Sequence, residues 1–559
     1  MPERIFIGVA WPYPNGPLHL GHIAGAYLPA DIFARYHRVK GNEVLMVSGS
    51  DAHGTPVTVL ADKESRTPQE IFERYHASFL RSFRGLGISF DIFTHTDTPN
   101  HAQTARDIFL KLYERGHFLK QRTRQLYSPT LNMFLPDRYV EGTCPRCGFA
   151  RARGDQCDKC GSLLDPLDLK EPRCKLDGSV PEVRETDHLF LRLGDFEERL
   201  KAWVRKQTHW RSNVHRFTLG YLEEGLKPRA MTRDLAWGIP VPVAGFDGKC
   251  IYVWFEAVIG YLSASKQYFQ ERGDPEGWRR FWQGPEVKSY YFIGKDNIPF
   301  HTIIWPAILM GYGGLNLPYD VPANEYLTLE GRKLSTSEAW AVWVPDYLER
   351  YDPDPLRYTL SVTMPESGDL DFTWKEFVRR NNDELVATYG NLVNRVLTFT
   401  YRNFDRRVPR PAHLDARDQA LLAKAKHTLQ AVDKALAHTS FREAVREAFS
   451  LAQEGNRYLE DLAPWKTLRE DPQRTATTLW VALYAIAALK TVLGPFLPFS
   501  SEKLHHFLGL EGTAAGAGWA IQEPVPGRPL REPAALFKKL EEQVALDERA
   551  RLEAARVGG

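Results

Sequence analysis

The sequence predicts an α/β protein: a parallel-sheet domain, interrupted by a cysteine-bearing insert and followed by an α-helical bundle. Three observations carry this. The first 50 residues read as strand, helix, strand with short joints; two Cys-x-x-Cys pairs stand close together near residue 150; and beyond about residue 380 the pattern turns to long amphipathic helices.

Ile5 to Ala10 reads as a short buried strand, and Trp11-Pro-Tyr-Pro-Asn-Gly-Pro17 as a loop in which proline and glycine forbid regular structure. A helix is predicted from near Leu18, with Ile23, Ala26, Tyr27, Ala30 and Phe33 or Ala34 at helical spacing. Arg35, His37, Arg38 and Lys40 crowd its last turn, where cations suit the dipole, and Gly41 ends it. Glu43 to Val47 returns as a second strand, leading into Ser-Gly-Ser-Asp51. Such a βαβ unit predicts a parallel sheet with its site at the strand C-terminal ends.

His19 and His22 fall one turn apart at that helix N-terminus, where backbone N–H groups favour an anion. Two imidazoles there serve either as donors to phosphate oxygens or as ordinary capping or surface groups. No GxxxxGK[ST] loop is present, so a phosphate site here is of another kind.

Cys144, Cys147, Cys157 and Cys160 form two pairs separated by nine residues, a spacing that fits a tetrahedral thiolate site. Four cysteine ligands leave no open position, so the expected metal is one structural zinc. Gly148 and Gly161 follow the pairs as knuckle turns often require. From Lys201 to Arg233 the chain is rich in Lys, Arg and His, which fits a phosphate-facing patch or a solvated helix face.

In the helical half, Leu385, Tyr389, Leu392, Val396 and Phe399 keep one face apolar. Ser440 with Glu443 reads as a capping box, Asp471-Pro472 as a helix start, and Gly494-Pro495 as a stop. A tail from Gly512 is small and proline-rich, then ends in a charged helix predicted from Ala534 to about Ala555.

The chain has 559 residues, room for about three to five domains. Its net charge of +2 excludes holding nucleic acid by bulk charge, though not by a local patch. The most apolar run, Leu479 to Leu489, stops at Lys490, short of the about 20 residues a bilayer needs. With no signal-peptide pattern and little cysteine outside the knuckle, a soluble, cytoplasmic protein is expected.

Pro17-Leu-His-Leu-Gly-His22 resembles the HIGH signature of class I aminoacyl-tRNA synthetases, and Gly331-Arg-Lys-Leu-Ser-Thr-Ser337 resembles their KMSKS loop. Within that class the chain resembles the methionyl-tRNA synthetases along nearly its whole length. The matching stretches include Ala10-Trp-Pro-Tyr-Pro-Asn-Gly16, Ser50-Asp-Ala-His-Gly-Thr-Pro56, Phe134-Leu-Pro-Asp-Arg138 before the knuckle, and Thr232-Arg-Asp-Leu-Ala-Trp-Gly238. Further on come Tyr252-Val-Trp-Phe-Glu-Ala257, Phe292-Ile-Gly-Lys-Asp296 and Ala463-Pro-Trp465.

The resemblance implies a Rossmann-type catalytic domain (1–116 and 231–325), a connective insert with the zinc knuckle (117–230), a KMSKS-loop and stem-contact domain (326–380), a helical anticodon-binding domain (381–511) and a C-terminal tail (512–559). It implies activation of L-methionine by ATP, with magnesium, followed by transfer to initiator and elongator tRNA(Met). His19, His22 and Lys333 are the implied catalytic residues; Gly294, Asp296 and Arg332 join them at ATP. Trp11, Tyr13, Asp51, Trp254, Tyr261 and His301 match methionine-pocket positions, Asp51 for the ammonium, with Tyr261 and His301 offering polar contact to sulfur. Asn391, Arg395 and Trp465 match positions that read the anticodon. There is no room for the appended domain that makes some relatives dimeric, so a monomer is expected.

Three departures stand out. Thr336 replaces the second lysine of the loop, leaving Lys333 as its one lysine, with Arg332 or Lys295 as candidates to take over the charge; Trp11 and Val258 stand where leucine and proline are expected. Thr336 leaves open a tRNA-binding relative with impaired catalysis. The Asp51 and Trp254 contexts, and the lack of a large editing insertion, argue against another class I specificity.

Overall fold

Arg4–Val9 is the central strand of a five-stranded parallel sheet in the computed structural model, which describes residues 2–154, 157, 159–160, 164–335 and 339–558. Gly161, Thr336 and Ser337 lie outside the described residues. Glu43–Ser50 and then Ile92–His95 flank the central strand on one side, and Val287–Gly294 and then Ala323–Asn324 on the other. Ile5, Ile7 and Val9 enter one core and Phe6 another, so both faces of the strand are buried, as in other helix-covered parallel sheets. Because the chain leaves this strand first to one side and later to the other, a crevice opens at its C-terminal end and that of Val287–Gly294.

The predicted helix runs over 20–39, as Leu20–His22, a π segment Ile23–Tyr27, and Leu28–Val39. A π turn frees a backbone carbonyl, and the Asn324 amide donates to Ala24 O (2.8 Å), tying the helix to the last strand. Gly41, at φ +80°, ends it as expected. His37 is not one of the cations of that last turn: it is buried beside Phe33, hydrogen-bonded to Asn42, and burial pushes its pKa down to about 4.

The insert is built on the antiparallel pair Phe118–Ser128 and Glu182–Leu191, with Val140–Thr143, Ala152–Arg153 and Lys170–Cys174 forming the knuckle sheet. Its last part behaves differently. Helices Glu197–Val204 and Ser212–Glu223 bury Leu200, Val204, Val214 and Leu222 in the same core as Phe109, Trp305 and Ile308 of the catalytic domain. In the basic stretch, Arg211 is a structural tie: its guanidinium donates to Asn324 Oδ1 (2.7 Å), Ala323 O (3.2 Å) and Thr439 O (2.9 Å). Arg205, Lys206, Arg216 and Lys227 are exposed.

The bundle comprises a helix over 374–403, Ala416–Ala437, Phe441–Leu462, Pro472–Leu493 and Pro498–Phe507. The domain boundary expected at 380 falls inside the first of these, where a π segment Arg380–Gly390 continues Trp374–Arg379. Pro472–Leu493 is long and apolar enough to cross a membrane, but it is the bundle's central helix and is buried from Thr475 to Leu493. It starts at the Asp471 cap and ends at Gly494, as predicted. Arg357, 1% exposed, fastens bundle to sheet domain by donating to Asp31 Oδ2 (2.7 Å) and to the carbonyls of Phe496, Pro495 and Leu86.

Two predicted features are corrected. Ser440 does not cap its helix with its side chain; Glu366 Oε1 instead accepts from the N–H groups of Phe441 (2.7 Å) and Arg442 (3.1 Å), so a carboxylate from another element satisfies these donors. The terminal helix begins at Gln543, not near Ala534. Leu536 and Phe537 are buried in the bundle core, and the Asn382 side chain bonds both the N–H and the C=O of Leu540, which holds the preceding segment in irregular form.

Candidate active site

A cavity of about 520 Å³ opens at the crevice, lined by residues from both halves of the sheet and from the loop that carries Lys333. His19 and His22 form part of its wall, stacked with ring centroids 3.8 Å apart. His19 Nδ1 accepts from Gly21 N–H (3.1 Å) and His22 Nδ1 accepts from His19 N–H (3.2 Å), a reciprocal cap. The two readings of this pair are therefore one arrangement: capping occupies both Nδ1 atoms as acceptors, which leaves the proton of each neutral ring on Nε2. Burial holds both rings neutral, pushing His22 down to about 4 and His19 well below the usual imidazole range, the latter helped by its neighbour.

The apolar end is aromatic. Trp254 lies against Phe300 (4.2 Å) and edge-on to Tyr13 (6.5 Å), whose ring covers Gly54. Trp11 fills the space left by two glycines: a Cβ on Gly49 would meet the indole at 2.4 Å, and one on Gly260 at 2.6 Å. The position expected to be leucine thus holds a larger ring because its neighbours have no side chains. Val258 is buried and lines the same cavity.

His301 Nδ1 lies 2.9 Å from Asn297 O and must donate to it, so Nε2 accepts from the Tyr261 hydroxyl at 2.8 Å. Both nitrogens are thereby occupied, and burial pushes His301 down to about 4. In this arrangement His301 offers the cavity a ring face, and Tyr261 keeps acceptor capacity.

Asp51 sits just beyond Glu43–Ser50, 3% exposed, and its Oδ1 has no hydrogen-bond partner. Burial, then repulsion from Glu256, raises its pKa well above the usual carboxylate range. A buried carboxylate oxygen without a partner is costly, and a ligand cation would offset that cost.

At the other end, Gly294 closes strand Val287–Gly294 with open space above it, and Asp296 accepts from the Tyr326 hydroxyl. Lys333 lines the cavity from the short hairpin Leu327–Leu329 and Arg332–Lys333, its ammonium 5.3 Å from the Tyr326 ring. The hairpin turns through Glu330 (φ +50°) and Gly331 (φ +75°), and Gly331 N–H is held by Asp371 at 3.0 Å. Lys295 is engaged elsewhere, by Glu325 (2.8 Å) and Asp369 (2.9 Å). Arg332 does not line the cavity; its guanidinium lies 5.1 Å over Trp340.

Away from the cavity, the four cysteine sulfurs lie within 4.8 Å of one another, with 3.9 Å between Cys144 and Cys160 and 3.6 Å between Cys147 and Cys157. Sulfurs about 2.3 Å from a tetrahedral zinc are about 3.8 Å apart, whereas a disulfide needs about 2.05 Å. The set fits a structural zinc and not two disulfides. Gly148, at φ +72°, makes the first knuckle turn. In the bundle, Asn391 and Arg395 sit one turn apart on Asn391–Asn403, and Arg395 stacks 4.5 Å over Trp465, which is 42% exposed on the turn Pro464–Thr467.

Sequence reasoning gave no role to Tyr326, which joins Asp296 to the Lys333 hairpin, nor to Glu256 and His53 beneath Asp51. His53 lay inside a motif singled out above, but Tyr326 stands in an irregular segment that carries no periodic signal.

Fold and cavity together are those of an α/β protein with donors suited to a phosphorylated ligand beside an aromatic side-chain pocket. The family tRNA synthetases class I (M) matches residues 5–397, and the anticodon binding domain of methionyl tRNA ligase matches residues 408–557. A methionine–tRNA ligase of Dehalococcoides mccartyi is 58% identical over 99% of this chain and 100% of its own, and one of Thermomicrobium roseum is 55% identical over 99% of each. A solved structure, Mycobacterium tuberculosis methionyl-tRNA synthetase in complex with methionyl-adenylate, superposes with a TM-score of 0.80 at 25% identity, covering 96% of this chain and 99% of that one. The chain belongs to the methionine–tRNA ligases, the methionine branch of the class I tRNA synthetases.

Proposed function

We propose that the chain activates L-methionine with ATP and transfers it to tRNA(Met), initiator and elongator, working as a monomer in the cytoplasm. The observation that carries the residue assignment is that one cavity joins a buried carboxylate with one bare oxygen, Asp51 Oδ1, and aromatic walls at one end to two neutral imidazole donors and Lys333 at the other. Methionine's ammonium meets Asp51, and its thioether lies among Trp11, Tyr13, Trp254, Tyr261 and the His301 ring, where sulfur–aromatic contacts favour it over harder polar groups.

The substrate carboxylate then attacks the α-phosphorus and pyrophosphate leaves. Negative charge grows on the phosphate oxygens, where His19 and His22 donate from Nε2 without having to change protonation state. Lys333 neutralises the departing pyrophosphate, and Gly294 and Asp296 seat the adenosine side. Magnesium would enter bound to ATP and supply further charge; among the described residues the cysteine set is the one cluster of metal-ligating side chains. In the second step a ribose hydroxyl at the tRNA 3′ end attacks the acyl carbonyl and AMP leaves. Asn391, Arg395 and Trp465 form the anticodon contact, an exposed indole and guanidinium being a platform for a splayed base.

The full-length match to proteins named as ligases and a cavity lined by Lys333 favour this reading over the tRNA-binding relative with impaired catalysis. Arg332, stacked on Trp340, and Lys295, held by two carboxylates, are less available than Lys333 to replace the missing lysine. The test is methionine-dependent ATP–pyrophosphate exchange in wild type, Asp51→Ala, Lys333→Ala and Arg332→Ala. Wild-type exchange is expected, with collapse for Asp51→Ala and Lys333→Ala and near-normal activity for Arg332→Ala. A folded Asp51→Ala protein with normal exchange would refute the pocket assignment.

A further inference from the structure

Beneath Asp51 lies a buried charged cluster with no part in the steps above. Glu256 is fully buried on helix Val253–Gln270, between the pocket walls Trp254 and Tyr261, and its Oε1 lies 2.9 Å from His53 Nδ1. His53 Nε2 faces Asp97 at 3.5 Å. Glu256 Oε2 has no hydrogen-bond partner; His101 Nε2, 3.9 Å away, has none either, its Nδ1 being bonded to Ser263 at 2.8 Å. Burial alone would lower the His53 pKa, but Glu256 and Asp97 outweigh it and push it up to about 10, while buried His101 is pushed down to about 3. Trp237 closes the cluster, edge-on to the His53 ring and donating to Ala52 O at 2.8 Å.

An imidazolium has two N–H groups, and both of those on His53 are taken, one by Glu256 and one by Asp97. None is left for Asp51, two residues away and with its Oδ1 bare. The Glu256–His53 bond also joins the 51–54 loop, which supplies Asp51 and the Gly54 seat of Tyr13, to the helix that supplies Trp254 and Tyr261.

We propose that Glu256 and His53 are positioning residues for the substrate ammonium: by holding the His53 N–H, Glu256 keeps it off Asp51 and keeps the ammonium contact in register with the aromatic walls. The inference rests on the proposed function of the cavity. Without the Glu256 acceptor, the freed N–H is available to the bare oxygen of Asp51, whose charge His53 already feels, and competes there with the ligand. The loss is therefore selective for ligands that carry an ammonium.

The experiment measures dissociation constants of L-methioninol, which has the ammonium, and of 4-(methylthio)butan-1-ol, which differs only in lacking it, together with KM for methionine and ATP in exchange. For Glu256→Ala, methioninol is expected to bind about tenfold more weakly, with the alcohol and the KM for ATP within about twofold of wild type. Glu256→Gln, which keeps an acceptor for the His53 N–H, is expected to restore methioninol binding to within about threefold. Glu256→Leu, which fills the space without an acceptor, serves if the alanine variant does not fold, with the same selective loss. Equal weakening of both ligands, unchanged methioninol binding, or failure of glutamine to restore it would each overturn the proposal. Wild type separates the two readings: no exchange and no preference for methioninol in the unmodified protein would sink the proposed function itself.

Discussion

Gly260→Ala sets two effects of opposite sign against each other. Gly260 lies inside helix Val253–Gln270 at a helical backbone angle, so alanine gains about 1 kcal/mol of helix propensity. The new Cβ would stand 2.6 Å and 2.7 Å from two indole carbons of Trp11, about 1 Å inside ordinary contact. Trp11 cannot retreat past Gly49, where any Cβ would meet the same ring at 2.4 Å, so little room exists on the far side. Overpacking of this kind costs about 1–3 kcal/mol. The net expectation is a loss of about 0–2 kcal/mol in denaturant unfolding, small because the terms oppose. The functional effect is larger, since the displaced indole moves into the methionine cavity: KM for methionine in exchange should rise roughly tenfold with kcat little changed. In a double-mutant cycle with Trp11→Leu, the clash disappears and Gly260→Ala becomes neutral or stabilising. A single Gly260→Ala variant that is more stable than wild type, with unchanged KM, would show that Trp11 is not held between the two glycines.

Trp465→Ala should weaken tRNA charging by about tenfold, on the scale of one lost base stack, and leave pyrophosphate exchange intact; equal losses in both assays would make the indole structural. Removing zinc with a chelator, or replacing Cys157 with alanine, should release one equivalent of metal and disorder the knuckle, seen as new proteolytic cleavage within 137–175, while the sheet domain, with its separate core, stays folded. His22 should titrate near 4 by NMR, not near 6.5. Its folded pKa lies below its unfolded one, so the stability it allows is fully present above about 6.5 and is lost as pH falls from there to about 4. A His22 midpoint near 6.5 would contradict the neutral donor.

Much of this protein was determined by sequence alone, because the signals are local. The βαβ unit follows from the spacing of Ile5 to Val47, the thiolate site from two turns that each bring a pair of cysteines together, and the Asp471 and Gly494 helix ends from caps that act within one turn. Tertiary structure decided what depends on groups far apart in the chain. The cap of the helix after Ser440 came from Glu366, and the irregular form of 534–542 from burial of Leu536 and Phe537 and from Asn382. Likewise Trp11 fits only because Gly49 and Gly260, 38 and 249 positions away, leave a slot. The His301 tautomer was set by Asn297 and Tyr261, and the His53 charge by Glu256, 203 positions downstream. Propensity and spacing specify how a segment folds on itself; which buried polar atoms find partners, and which are left for a ligand, is fixed only when distant segments meet.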